Sequence, residues 1–453
     1  MPPGRLSTND ARRTYPRRTQ RMTQGSWVEK WNQWDLLKLN SFSFGITGFI
    51  LAMDTVVLPV IVLTVAPDDL KNTYLAILGI SGLLMAAAVQ PTIGRISDRT
   101  QSPLGRRVPF IFWGTAFAAI GLIGVRLAPN FGVLFAVWIF IQANVNIAYG
   151  PGLALIRDCV PLNRIGMASS MKIMFDAAGG AVMIAVTGAL IGKTGTSVDW
   201  EWIAFGILAF LMIMAMSITT VVVSRRELRE PSNSQWSDVG SPVHSVLNPQ
   251  MGLFLVSRLV MITSIASFQT YGLFFLRDSV GLENPAEALG GMILVIAGAL
   301  AIAVYISGWV SDRVGRKPVV MVGAIGAAIS TLWMLTADSS THVLIIASVM
   351  GASVGVLLSA NWALANELAD EGQAGLHIGI VNLATIGGAA LAKMLGPGID
   401  GLNRIPGRPD DFGYQVLIAG AAAFFVLGAL LLMPLKTTRR ESASRNAAPP
   451  SAS

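Results

Sequence analysis

A single cysteine in 453 residues, Cys159, excludes an internal disulfide framework. The three histidines, His244, His342 and His377, stand far apart and offer no metal-ligand spacing. Charge is scarce as well: 13% of the residues are Asp, Glu, Lys or Arg, against the roughly 25% usual for soluble domains. No nucleophile–base constellation and no phosphate-cradling glycine loop is present. Glycine-rich pieces such as GGAVMIAVTGAL lie inside apolar runs, where small residues let helices approach closely. The expectation is therefore neither an enzyme nor a primary pump, with no cofactor and no metal.

What the chain has in abundance is hydrocarbon. Hydrophobic residues make up 53% of it and the mean hydropathy is +0.59, which places it in a bilayer. Each crossing needs about 20 mostly apolar residues. On that rule the sequence predicts about twelve membrane helices, in the first half at 39–65, 72–94, 108–127, 131–153, 166–192 and 200–224, and in the second at 249–276, 285–309, 318–337, 341–366, 375–399 and 411–434. Five regions follow: a basic tail with an interfacial helix (1–35), a six-helix bundle (36–224), a charged loop with the Pro/Ser-rich stretch PSNSQWSDVGSP (225–247), a second six-helix bundle (248–435) and a disordered tail (436–453). Residues 1–26 are rich in Arg, Thr and Pro and read as a tail rather than a signal peptide. Trp27, Trp31 and Trp34, at helical spacing among charges, suit anchoring at headgroup level.

The net charge of +7 takes its meaning from placement. With the N-terminus cytoplasmic, 24 of the 33 Lys and Arg fall on that side. Six (Lys71, Arg126, Lys193, Arg277, Arg404, Arg408) fall on outer loops, and three (Lys172, Arg258, Lys393) inside spans. Excess Lys/Arg marks the cytoplasmic side. Both termini are accordingly expected in the cytoplasm, in a multi-pass protein of the plasma or inner membrane. The basic balance serves topology and a weak attraction to anionic lipid, not nucleic acid.

Residues 94–109, GRISDRTQSPLGRRVP, set four arginines (Arg95, Arg99, Arg106, Arg107), Asp98 and two helix breakers between two apolar runs. A reduced copy returns at 308–318, GWVSDRVGRKP, with Asp312-Arg313 matching Asp98-Arg99 and Gly315-Arg316-Lys317 matching Gly105-Arg106-Arg107. The offsets are 214 at the Asp-Arg pair and 210 at the glycine. Asp158 and Gly166 echo in Glu367 and Gly375 at 209. A six-plus-six duplication explains these numbers, and parallel repeats of that kind commonly close around a cavity near the bilayer midplane.

The motif Gly308-x-x-x-Asp312-Arg313-x-Gly315-Arg316-Lys317 resembles the loop signature of the major facilitator superfamily, and the repeat and span count extend that resemblance over nearly the whole chain. The longer first copy, GISGLLMAAAVQPTIGRISDRTQSPLGRRVPFI, resembles the glycoside–cation symporters, including the plant-type sucrose/proton carriers. ANVNIAYGPGLALIRDCVP (143–161) is similar to the fourth-span segment of that branch. The sucrose carriers place an arginine shortly after Gly-Pro, where this chain has Gly152-Leu153, so the resemblance does not carry disaccharide recognition over. It implies transport by alternating access and a helical fold with two six-helix repeats.

Several residues are candidates for the mechanism. Asp98, Arg99, Arg106, Asp312, Arg313 and Arg316 can form charge-assisted bonds with each other and with helix ends, and so gate the cytoplasmic face. The alternative is that they only fix topology. Ionisable groups inside spans are costly, and each is a site hypothesis. Asp54 can couple a proton or cation, touch substrate or make a structural bond. Lys172 and Asp176, four apart, can pair on one helix face as a coupling element or as an inert pair. Arg258 can neutralise Asp54 or Asp176 across the repeat interface, or snorkel to the cytoplasmic face. Lys393 is expected to snorkel at the outer end, and His377 can titrate near neutrality. Gln142, Asn144, Asn146, Tyr149, Gln269, Tyr271, Asn361, Trp362 and Asn382 offer amides, phenols and an aromatic face to hydroxyl groups and sugar rings, or serve as helix–helix contacts.

The leading expectation is a monomeric proton- or sodium-coupled symporter of a sugar or glycoside. Its rival is a proton-driven exporter of amphipathic compounds, favoured by the missing arginine and by Met and Phe residues able to line an adaptable cavity. A non-transporting receptor on this scaffold needs no buried acid and fits Asp54 and Asp176 poorly.

Overall fold

A bilayer core offers no water to backbone N–H and C=O groups, so an apolar run must close its hydrogen bonds within itself as a helix. The computed structural model describes residues 32–160, 164–193, 198–227, 249–368 and 374–435. Among them are twelve helices long and apolar enough to cross a membrane, and no strand. In the first half they are α1 (Gln33–Val65), α2 (Lys71–Arg99), α3 (Val108–Arg126), α4 (Phe131–Cys159), α5 (Ile165–Ile191) and α6 (Trp200–Glu227). The second half has α7 (Pro249–Asp278), α8 (Pro285–Val314), α9 (Arg316–Trp333), α10 (Ser340–Glu367), α11 (Ala374–Lys393) and α12 (Phe412–Leu432). A short helix, Gly396–Asn403, prolongs α11.

Local chemistry explains the helix ends. Asn32 and Asp35 form a capping box at the start of α1, Asn130 accepts the Val133 N–H at the start of α4, and Ser339 accepts that of His342 at the start of α10. Helix α4 runs six residues beyond the predicted span, because its polar last turn carries Asp158, which finds basic partners. Trp34 lies in the first turn of α1 and is exposed. Trp27, Trp31, the tails and most of the central loop lie outside the described residues, as does the side chain of His377.

Packing repeats with a shift of six helices. The contacts α1 with α5, α1 with α6, α2 with α4, α3 with α4 and α3 with α6 recur as α7 with α11, α7 with α12, α8 with α10, α9 with α10 and α9 with α12. Between the two sets, α5 packs on α8 and α11 on α2, contacts that exchange under the same shift, while α1 meets α7. That is two-fold pseudo-symmetry. An even number of crossings puts residues 32 and 435 at one end, here called the near end. Small residues bring the halves together at the far end: a Cβ on Gly188 of α5 would collide with the Ala286 carbonyl of α8. Toward the near end α2 and α8 are exposed, with Tyr305 at 84%.

Candidate functional site

Pro59 has no N–H to give the carbonyl of Thr55, and α1 answers with a π-helical turn over Met53–Val57. Asp54 sits in that wide turn. Its carboxylate accepts from Lys393 Nζ at 2.8 Å, and both side chains are mostly enclosed. The lysine stem passes over Gly79 of α2, where a Cβ would stand 2.8 Å from Cδ. Tyr271 on α7 donates to the Lys393 carbonyl at 2.8 Å and holds the end of α11 in place. Lys393 therefore does not snorkel: a carboxylate in reach satisfies its charge better than a distant headgroup. Arg258 does not neutralise Asp54 either, since that place is taken.

Lys172 and Asp176 pair at 2.6 Å on α5, and Thr47 of α1 donates to the second oxygen of Asp176 at 2.7 Å. The pair thereby fastens α5 to α1. Arg258, buried in α7, reaches neither carboxylate. It donates to Thr385 at 3.0 Å and to the Asn361 oxygen, and its guanidinium lies 4.4 Å from the Trp362 ring centroid. Such partners also rule out snorkelling.

The amides divide into two groups. Gln90 of α2 donates to Asn146 at 2.7 Å, Asn146 donates to Gln142, and Gln142 lies over Gly82. Together they form a polar seam between α2 and α4. Tyr149 lies on the same side of α4, one turn beyond Asn146. Asn144 points elsewhere and donates to the Phe140 carbonyl, beside the close contact of α4 with Gly114 of α3. In the second half Asn361 and Trp362 gather around Arg258. The amides of Gln269 and Asn382 have no hydrogen-bond partner among the described residues. Also among those residues, no cluster of three His, Cys, Asp or Glu could hold a metal ion.

The two hairpins are built alike. Gly105 and Gly315 have φ of 102° and 105°, a conformation that favours glycine and explains that residue in both copies. Arg106 pairs with Asp158 at 2.9 Å and its counterpart Arg316 with Glu367 at 3.3 Å, so the sequence echo of Asp158 and Glu367 is an echo of ion pairs. Arg107 is the buried member: it binds Asp98 at 2.7 Å, Asp158 at 2.7 Å and Ser97 at 2.9 Å. The expected gating set omits it, and its only signal was its place beside Arg106. Asp312 and Arg99 are exposed, and Arg313 stacks on Trp309 at 3.6 Å. These pairs join helices within one half rather than across the two.

Ties across the halves gather at the far end. Asp400, 2% exposed in the short helix after α11, accepts from Asn72 Nδ2 at 2.8 Å and from Thr73 N and Oγ1 at 2.7 and 2.6 Å. A carboxylate of the second half thus caps the N-terminus of α2 in the first. Tyr414 shares Asn72 at 2.9 Å. Around this plug run Lys71 to Asp278 at 2.8 Å, Arg277 to Asp68 at 2.8 Å and Arg404 to Asp69 at 3.0 Å. Sequence reasoning missed the plug; the opposite charges at the ends of α2, α7 and α11 were its only trace.

The profile of the Major Facilitator Superfamily matches residues 44–392 and 285–452. The chain belongs to the major facilitator superfamily. This transporter is 23% identical over 462 residues to the sucrose transport protein SUT5 of Oryza sativa subsp. indica, covering 82% of each chain. It is 24% identical over 308 residues to the fosmidomycin resistance protein of Escherichia coli (strain K12), covering 64% of this chain and 70% of that one. Its fold is similar to the crystal structure of a D-xylose-proton symporter, with a TM-score of 0.65 at 14% identity over 89% of this chain and 98% of that one. It is a multi-pass membrane transporter, not an enzyme.

Proposed function

We propose that the chain is a secondary active symporter of a sugar or glycoside, driven by protons, with both termini in the cytoplasm and the far end outside. The excess of Lys and Arg on the terminal side supports this orientation. The conformation described is then closed outside and open inward.

The observation that carries the reading is the Asp54–Lys393 pair, because its partners belong to opposite halves. Opening the far end draws α11 away from α1 and parts them. An unpaired acid inside a span costs roughly 2.5–3.5 kcal/mol on the insertion scale, and uptake of a proton from outside removes that charge. When the far end closes, Lys393 returns to Asp54 and the proton leaves inward. Substrate bound in the same closure travels with it. The amides of Gln142, Asn146, Gln269 and Asn382, with Tyr149, supply hydrogen bonds suited to sugar hydroxyls. The sucrose transport protein among the relatives supports the same substrate class.

Proteoliposome uptake of a labelled sugar panel, with pH and sodium gradients imposed separately, tests this reading. Accumulation under the pH gradient is expected. In Asp54→Asn combined with Lys393→Gln, which removes both charges and leaves no orphan, sugar should still exchange across the membrane but no longer accumulate. Accumulation equal to the parent refutes the coupling role. A second reading, proton-driven export of amphipathic compounds, draws on the fosmidomycin resistance protein and on the exposed Met167 and Met174 of α5. It predicts inactivity toward every sugar together with drug-dependent proton release.

A further inference from the structure

The enclosed cations of the spans fall into two kinds. Lys71, Lys172 and Lys393 each face a carboxylate, Asp278, Asp176 and Asp54 respectively. Arg258, 1% exposed, has only neutral partners: Thr385, Asn361 and the face of Trp362. No carboxylate among the described residues pairs with it. A buried cation with no counter-ion is a strongly destabilising arrangement. Beside it is a second unmet demand, since Asn361, itself 1% exposed, gives its oxygen to the arginine and leaves its Nδ2 buried without an acceptor. Donors of one sign converge here from α7 and α10, and an acceptor is missing.

We propose that Arg258 and the Asn361 amide receive a single carboxylate on the transported solute, so that the substrate is an acidic sugar or glycoside and not a neutral one. The proposal deepens the symport reading above and rests on it for the sugar part. Guanidinium presents a planar fork that matches a carboxylate, and Trp362 and Thr385 hold its plane. One guanidinium balances one negative charge, which selects a monoanion over a phosphate ester dianion. Asn382 lies three residues before Thr385, on the same face of α11, and exposes an amide with no partner, positioned for a ring hydroxyl. The ligand closes the electrostatic circuit that the protein leaves open.

The test uses the full-length chain in proteoliposomes with labelled galacturonate and glucuronate, the matching hexoses, and their 6-phosphates. A hexuronate should be taken up with at least ten-fold preference over its hexose and over the hexose phosphate. Arg258→Gln should weaken hexuronate uptake on the order of 100-fold, and more than it weakens hexose uptake, while Arg258→Lys, which keeps the charge and loses the fork, should fall between. Thermal-shift titration with hexuronate guards against misfolding: the parent should be stabilised and a folded Arg258→Gln variant should not. Equal uptake of hexose and hexuronate, each equally sensitive to Arg258→Gln, overturns the carboxylate site and leaves the sugar reading standing. Preference for the phosphate ester overturns it as well. If no sugar of any charge is carried, while simple carboxylates such as benzoate stabilise the parent but not Arg258→Gln, the carboxylate site stands and the sugar reading fails.

Discussion

Removing the Asp400 carboxylate should open the far end. In the closed form it takes three short hydrogen bonds from Asn72 and Thr73, across the boundary between the halves. A hydrogen bond to a charged group contributes about 1.5–3 kcal/mol. Desolvating a carboxylate that is 2% exposed offsets much of the gain. Asp400→Ala also leaves the Thr73 N–H and one N–H of the Asn72 amide without their acceptor, while Tyr414 keeps its bond to Asn72, and the freed donors regain water most readily when the halves part. A net shift of about 3 kcal/mol toward the open form is reasonable, which is roughly 150-fold in the equilibrium. A parent closed ten to one would become predominantly open. Spin labels at Pro129 and Asp410, exposed far-end positions on opposite halves, report this as a lengthened distance distribution in nanodiscs, in a Cys159→Ser background. Asp69→Asn is the control: its pair with Arg404 is exposed and worth at most about 1 kcal/mol. An unchanged distribution in Asp400→Ala, or an equal change in Asp69→Asn, refutes the reasoning.

Two further predictions concern the scaffold. Gly179 of α5 lies so close to α1 that a Cβ would collide with the Phe44 carbonyl, so Gly179→Val should lower thermal stability in detergent by about 1–3 kcal/mol or more. Gly206→Val, where nothing stands within 4 Å, should leave stability unchanged. Arg107→Met removes a buried cation together with its bonds to Asp98, Asp158 and Ser97, and leaves Asp158 with Arg106. It should reduce uptake several-fold more than Arg106→Met, whose aspartate keeps Arg107; equal effects would show that burial does not set their importance.

Much of this molecule was legible in the chain because membrane physics is severe. Twelve apolar runs, two hairpins at nearly one offset and the four-residue spacing of Lys172 and Asp176 each have a single outcome once water is absent. The pairs that tie one half to the other were not legible. Asp54 meets Lys393 at a separation of 339 residues and Thr73 meets Asp400 at 327, and no local pattern reports such a meeting. Arg106 and Arg107 are neighbours in sequence, in the bend that leads into α3, yet only Arg107 is buried there. The expected partner of Arg258 failed for a related reason: charge complementarity names candidates, but it does not say which helices lie side by side.

The widened turn within α1 also matters for how this transporter can be altered. A stretch that already holds one residue more than the regular spiral is the place where the chain tolerates trimming. Deleting a residue within Met53–Val57 would restore ordinary winding and swing the acid around the axis, while the anchored portions above and below keep their seats. The meeting of Asp54 with Lys393 can therefore be retuned at this one spot without rebuilding the barrel of helices around it.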